Sequence, residues 1–148
     1  MRFAKVFTVL AAVFFVSAMA YTAMAAPTYV GINQCKMCHM KQYNVWKDTA
    51  HAKAFDVLKP ADQAKPECVK CHVTGDNKEL KGVQCEACHG PGSEYKTFAI
   101  MKNVKEAEAK GLVVKPVDVC VKCHNKNSPN FKGFDFKTEW PKIKHGLQ

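Results

Sequence analysis

The pattern Cys-x-x-Cys-His occurs four times, beginning at Cys35, Cys68, Cys85 and Cys120 and ending at His39, His72, His89 and His124. These copies contain all eight cysteines of the 148-residue chain. One turn of helix places residues i, i+3 and i+4 on one face. Each copy therefore presents two thiols and an imidazole to the same side. Two thiols at that spacing can bond the two vinyl positions of one haem while the imidazole takes its iron, and the pattern is the c-type haem attachment sequence. Four copies imply four covalently bound haem c groups. Cys35, Cys38, Cys68, Cys71, Cys85, Cys88, Cys120 and Cys123 are then the attachment points, and His39, His72, His89 and His124 the proximal iron ligands.

Rival uses of the cysteines fare worse. Paired Cys-x-x-Cys units could make four-thiolate zinc sites, and an exported chain with an even cysteine count could carry disulfides. Neither explains a histidine directly after every second cysteine. A thioredoxin-like pair calls for a single motif in a βαβ context.

The chain also carries an export signal. Arg2 and Lys5 form a short basic region, residues 6–16 are apolar except for Thr8, and two Ala-x-Ala sites follow at Ala18-Met19-Ala20 and Ala23-Met24-Ala25. That order is a secretory signal peptide, with cleavage expected after Ala25. Residues 1–25 are the signal and residues 26–148 one domain, exported to the periplasm or beyond. No later stretch is long enough to span a bilayer, so no stable membrane insertion is expected after cleavage.

The formal charge is +9, from 22 basic and 13 acidic residues. Losing Arg2 and Lys5 leaves 20 against 13, or +7. Such an excess could serve nucleic acid or an anionic surface, but export and the lack of a nucleic-acid motif exclude the first. Four haems bring eight propionates, about −8, which much of the basic excess neutralises.

The mature length gives about 31 residues per haem, too few for an aliphatic core around each. The expected fold is mainly α with irregular loops, a small multihaem cytochrome c whose core is the four haems. Tyr43, Trp46, Ala50, Ala54 and Leu58 recur at helical spacing, predicting an amphipathic helix over residues 40–58, stopped before Pro60. A second helix is expected over residues 94–110, with Ser93 as N-cap and Gly111 as stop. Leu112-Val113-Val114 could form a short strand limited by Pro116. Residues 128–148 read as irregular, with Phe131, Phe134, Phe136 and Trp140 as packing anchors.

Four haems with two imidazoles each would need eight histidines; the chain has six. The spare pair is His51 and His145. His51 lies beside Ala50, Ala54 and Phe55, near the apolar side of the first helix, which favours iron ligation. His145 lies in a basic tail, and position alone leaves its role open. Glu86 and Glu94 read as exposed carboxylates.

Several segments together resemble the cytochrome c554 family. They are Tyr29-Val30-Gly31 before the first motif, Trp46-Lys-Asp-Thr-Ala-His-Ala-Lys-Ala-Phe55, Cys71-His-Val-Thr-Gly75, and Gly82-Val-Gln-Cys-Glu-Ala-Cys-His-Gly-Pro-Gly-Ser-Glu94. The family's best-known members are tetrahaem electron carriers of bacterial nitrogen oxidation. The resemblance implies that His51 and His145 are distal ligands. Tyr95 stands where the family commonly has a distal histidine, and the family's type member has one haem with an open site.

The function expected is electron transfer rather than enzymatic catalysis, with redox proteins as donors and acceptors. Two alternatives stand beside it. One is nitrogen-oxide or hydroxylamine chemistry at a haem with an open axial site. The other is a subunit of a cytochrome filament, a form of self-association.

Overall fold

The computed structural model describes residues 25–75 and 77–146. The signal-peptide expectation over residues 1–25 lies, but for Ala25, outside the described residues. Among the described residues no helix is long and apolar enough to cross a membrane.

The elements run α1 (Ile32–Lys36), α2 (Met40–Trp46), α3 (Pro66–Val69), β1 (Val73–Thr74), β2 (Asn77–Lys81), α4 (Cys85–His89), α5 (Phe98–Met101), α6 (Val104–Ala109), α7 (Val117–Cys120) and α8 (Phe136–Ile143). The fold is mainly helical, as expected. The two strands form an antiparallel hairpin with Val73 opposite Lys81 and a bulge between Val73 and Thr74. This hairpin was not expected; it follows the second motif directly. Thr74 is fully buried, and its hydroxyl donates to the Gly82 carbonyl at 2.9 Å and accepts from Gln84 N–H at 2.8 Å. The hairpin thereby fixes the second motif relative to the third.

The expected helix over 40–58 ends at Trp46. Thr49 closes it, its hydroxyl donating to the Trp46 carbonyl at 2.7 Å. Residues beyond follow as i→i+3 turns, including Ala54 N–H to His51 and Leu58 N–H to Phe55. The His51 carbonyl also accepts Val83 N–H at 2.9 Å, which draws it toward a distant segment. The apolar spacing was real, since Ala54 and Phe55 are buried, but tertiary bonds overrode the helix.

The helix expected over 94–110 is two helices. Asn103 breaks it by capping α6 through its side chain. Ser93 caps nothing; its hydroxyl accepts Thr28 N–H at 2.9 Å and donates to Glu94. Gly111 does stop the chain's helical run, at φ +100. The apolar residues 112–114 do not become a strand: Val113 N–H bonds the His89 carbonyl at 3.0 Å instead. The tail is not irregular throughout. Asp135 caps α8 by accepting Thr138 N–H at 2.9 Å, and Phe136 stacks on Trp140 at 5.3 Å. Pro141 lies inside this helix and withholds one N–H, yet Lys144 N–H still reaches the Trp140 carbonyl.

The apolar core made by protein atoms is small. Phe55, Val69 and Val73 cluster with Leu58, while Ala54, Tyr95 and Ala107 are buried elsewhere. Such a core suits a fold completed by large prosthetic groups.

Candidate metal centre

Each motif folds as the turn its chemistry requires. His39 and His124 N–H bond the carbonyls of Cys35 and Cys120 at 3.0 and 2.9 Å, and the third motif is helix α4 itself. In the second motif His72 N–H bonds Val69 at 2.8 Å, a tighter turn.

Two of the motif histidines have their rings locked by backbone carbonyls. His89 Nδ1 donates to Val113 at 2.7 Å, and His72 Nδ1 pairs with the Ala54 carbonyl. A carbonyl can only accept, so each Nδ1 carries the proton and each Nε2 is left free for a metal. His124 is held differently, stacked on Phe134 at 4.8 Å and 23°. The carbonyls of Ala54 and Val113 escaped sequence reading because carbonyl placement leaves no residue-type signal.

His51 and His145 each face a motif histidine. The His51 and His124 rings lie 6.1 Å apart at 69°, and the His89 and His145 rings 5.8 Å apart at 65°. Two imidazoles on opposite sides of one metal have centroids about 6 Å apart, given metal–nitrogen bonds of about 2.0–2.1 Å and the ring radius. The residues thus fit a haem iron between each pair. Burial, and in second place the charge of the facing His124, push His51 below the usual histidine range. Burial does the same to His89. Both effects favour the neutral imidazole that binds metal. Among the described residues no three His, Cys, Asp or Glu side chains converge on a bare-ion site.

The cysteines also show which motifs are neighbours. These thiols stand where attached haem would leave thioether sulfurs. The neighbouring Cys85 and, after it, burial push the Cys35 thiol well up. Burial and then the neighbouring Cys71 push Cys123 to about 12. Burial, with the charge of Cys120 next, pushes Cys88 to about 11. Helix α1 packs on α4, and α4 on α7. Helix α4 also packs on β1, so the third motif lies beside the first, the fourth and, through the hairpin, the second.

Polar bonds weld the first and third motifs together. Glu86 is 2% exposed, which corrects its reading as a surface carboxylate. It accepts N–H bonds from Val30 at 2.8 and 3.1 Å, Gly31 at 2.7 Å and Gly92 at 2.7 Å. Gln84 accepts Ile32 N–H at 2.9 Å. Glu94, by contrast, is exposed as expected. Tyr95 is buried before α5, and its hydroxyl lies 2.7 Å from the Gly90 carbonyl and 3.1 Å from that of His89. Burial, then the charge of Glu86, hold its phenol well above the ordinary tyrosine range. A phenolate ligand is therefore disfavoured at Tyr95.

The model of the family described as cytochrome c554 and c-prime matches residues 34–90, which hold the first three motifs and His51. Cytochrome c-554 of Nitrosomonas europaea is 34% identical over 167 residues, covering 87% of this chain and 69% of that protein. The solved reduced state of cytochrome c554 from Nitrosomonas europaea superposes with a TM-score of 0.58 at 27% identity, covering 82% of this chain and 80% of that one. With a relative at that identity spanned over more than two thirds of its length, this chain belongs to the cytochrome c554 family of c-type cytochromes.

Proposed function

We propose that the protein is an exported tetrahaem c-type cytochrome that passes electrons between redox proteins in the periplasm. Haem c is attached through the four cysteine pairs, with His39, His72, His89 and His124 as proximal ligands and His51 and His145 as distal ligands. One observation carries the reading: each spare histidine faces a motif histidine at the separation that an intervening iron requires. Haem supplies the redox couple. The chain's own part is to hold neighbouring attachment sites close and to fix imidazole orientation through the Val113 and Ala54 carbonyls. Imidazole pairs favour lower potentials than methionine–histidine ligation.

Kinship to a cytochrome supports a carrier rather than an enzyme. A second reading, small-molecule chemistry at an open haem, is kept by the histidine count, since no third spare imidazole exists. Intact mass of the purified protein tests the main reading. A chain beginning at Ala26 with four haems is expected; two haems, or free thiols with zinc, would overturn it.

A further inference from the structure

Resting on the four-haem reading, we infer that the turn from His51 to Ala54 is one support shared by two irons, those of the second and fourth motifs, and that Gly82 is the positioning residue that seats it. The His51 ring faces His124 of the fourth motif at 6.1 Å. Three residues on, the Ala54 carbonyl takes the Nδ1 proton of His72, the imidazole of the second motif. Ala54 N–H bonds the His51 carbonyl at 3.3 Å, so both groups belong to a single closed turn. The distal ligand of one haem and the acceptor that orients the proximal ligand of another therefore move together.

The hydrogen bonds around this turn close on themselves. The His51 carbonyl accepts a second bond, from Val83 N–H at 2.9 Å, and the adjoining Gly82 N–H donates to the His72 carbonyl at 3.0 Å. His72 thus holds the turn through its ring and the 82–83 segment through its backbone, and that segment returns to His51. Thr74 Oγ1 donates to the Gly82 carbonyl at 2.9 Å and Trp46 Nε1 to the Val83 carbonyl at 2.8 Å, which fixes the segment on both sides. Phe55, the residue after the turn, clusters with Val69 inside the second motif and Val73 just after it.

Gly82 is where the circuit has no slack. It is buried at φ +81, and a Cβ there would stand 2.6 Å from the Ala52 carbonyl oxygen and 3.3 Å from that of His51. A positive φ alone suits many turns. The approach to Ala52 is specific, because both obstructing atoms are backbone of the shared turn. A side chain at this position displaces the turn rather than a flexible neighbour. The third motif gives the contrast: His89 Nδ1 donates to the Val113 carbonyl and Val113 N–H returns to the His89 carbonyl at 3.0 Å, a closed pair outside this circuit.

The test follows the Nδ1 protons of His72 and His89 in the oxidised, full mature holoprotein by paramagnetic proton NMR, as rates of exchange into deuterium oxide. In Gly82→Ala the His72 proton should exchange at least about five-fold faster, the effect of losing one hydrogen bond, while the His89 rate holds. Added imidazole should also displace His51 from the fourth-motif haem faster in this variant. In His51→Ala, which removes no bond to the second motif, the His72 proton should again exchange faster. Unchanged His72 exchange in His51→Ala overturns the shared support, and unchanged exchange in Gly82→Ala overturns the role of Gly82. Equal acceleration at His89 means general loosening and overturns both. Should Gly82→Ala fail to accumulate, His51→Ala decides alone. A haem count below four, measured first, would instead sink the tetrahaem reading itself.

Discussion

His145 meets His89 ring to ring at 5.8 Å, yet the two histidines are anchored very unequally. His89 is half-buried in α4, with its Nδ1 bound to Val113, whereas His145 is exposed beyond the end of α8. The neighbouring Gly146 carbonyl accepts a bond from Gln42 Nε2 at 3.1 Å, tying the tail to α2. His51 is the better anchored of the two distal histidines. Its carbonyl takes Val83 N–H, and Trp46 Nε1 donates to the Val83 carbonyl at 2.8 Å.

His51→Ala and His145→Ala are each expected to convert one low-spin haem to high spin with four haems still attached. Gln42→Ala should leave all spin states unchanged. It should let cyanide or imidazole displace His145 more readily, by about five-fold for one hydrogen bond worth about 1 kcal/mol. Displacement rates measured at the third-motif haem check this; an unaltered rate would show that the tail is held by α8 packing alone.

Loss of the Trp46 contact should act on the other distal ligand. Trp46→Phe keeps an aromatic ring, though a smaller one, and removes the Nε1 donor, leaving the Val83 carbonyl one bond short. A stability loss of about 1 kcal/mol is expected in guanidinium unfolding of the holoprotein. Ligand displacement should quicken at the fourth-motif haem and not at the third, which separates a local effect on His51 from general loosening.

Glu86 should be the costliest polar side chain to alter. Glu86→Gln replaces a carboxylate facing three backbone N–H groups with an amide that must point a donor at one of them. A loss of about 2–3 kcal/mol is expected, at the upper end for hydrogen bonds to charged groups. Gly92→Ala should also destabilise, because its Cβ would stand 3.0 Å from Glu86 Oε1 and 3.1 Å from Val30 Cγ2, and the Glu86 carboxylate is fixed by its N–H bonds. Comparable midpoints for wild type and Glu86→Gln would mean that the buried carboxylate is not what joins the first and third motifs.

The chemistry of the site was legible because it is written in residue types at fixed spacing: the four motifs and the two spare histidines are all visible in sequence. The pairing of His51 with His124 and His145 with His89 was not, since it depends on how separate segments dock. Glu86 misled for a related reason. A lone acidic residue between two cysteines looks solvated until the Val30–Gly31 strap and the Gly92 loop are seen to donate to it. Helix lengths failed where side chains and carbonyls were recruited away from the helical ladder, at Thr49, His51 and Asn103. In α8 the reverse held: the tail read as irregular, and the Asp135 cap and the Phe136–Trp140 stack formed a helix that runs through Pro141.

Tyr95 allows the sharpest separation of structure from ligation. Its hydroxyl braces the end of α4 through the Gly90 and His89 carbonyls, and Gly90 itself sits at φ +82 against the Gly111 carbonyl. Removing the hydroxyl in Tyr95→Phe should cost about 1–2 kcal/mol, as two carbonyls lose a buried donor. It should leave the number of high-spin haems unchanged, because a neutral phenol so engaged is not an iron ligand. Tyr95→His tests the other half. An imidazole at this buried place, beside the first and third motifs, should turn one high-spin haem low-spin. The pair of variants divides the outcomes cleanly. A spin change in Tyr95→Phe would make the phenol a ligand after all, and an unaltered Tyr95→His spectrum would place the first-motif iron out of its reach.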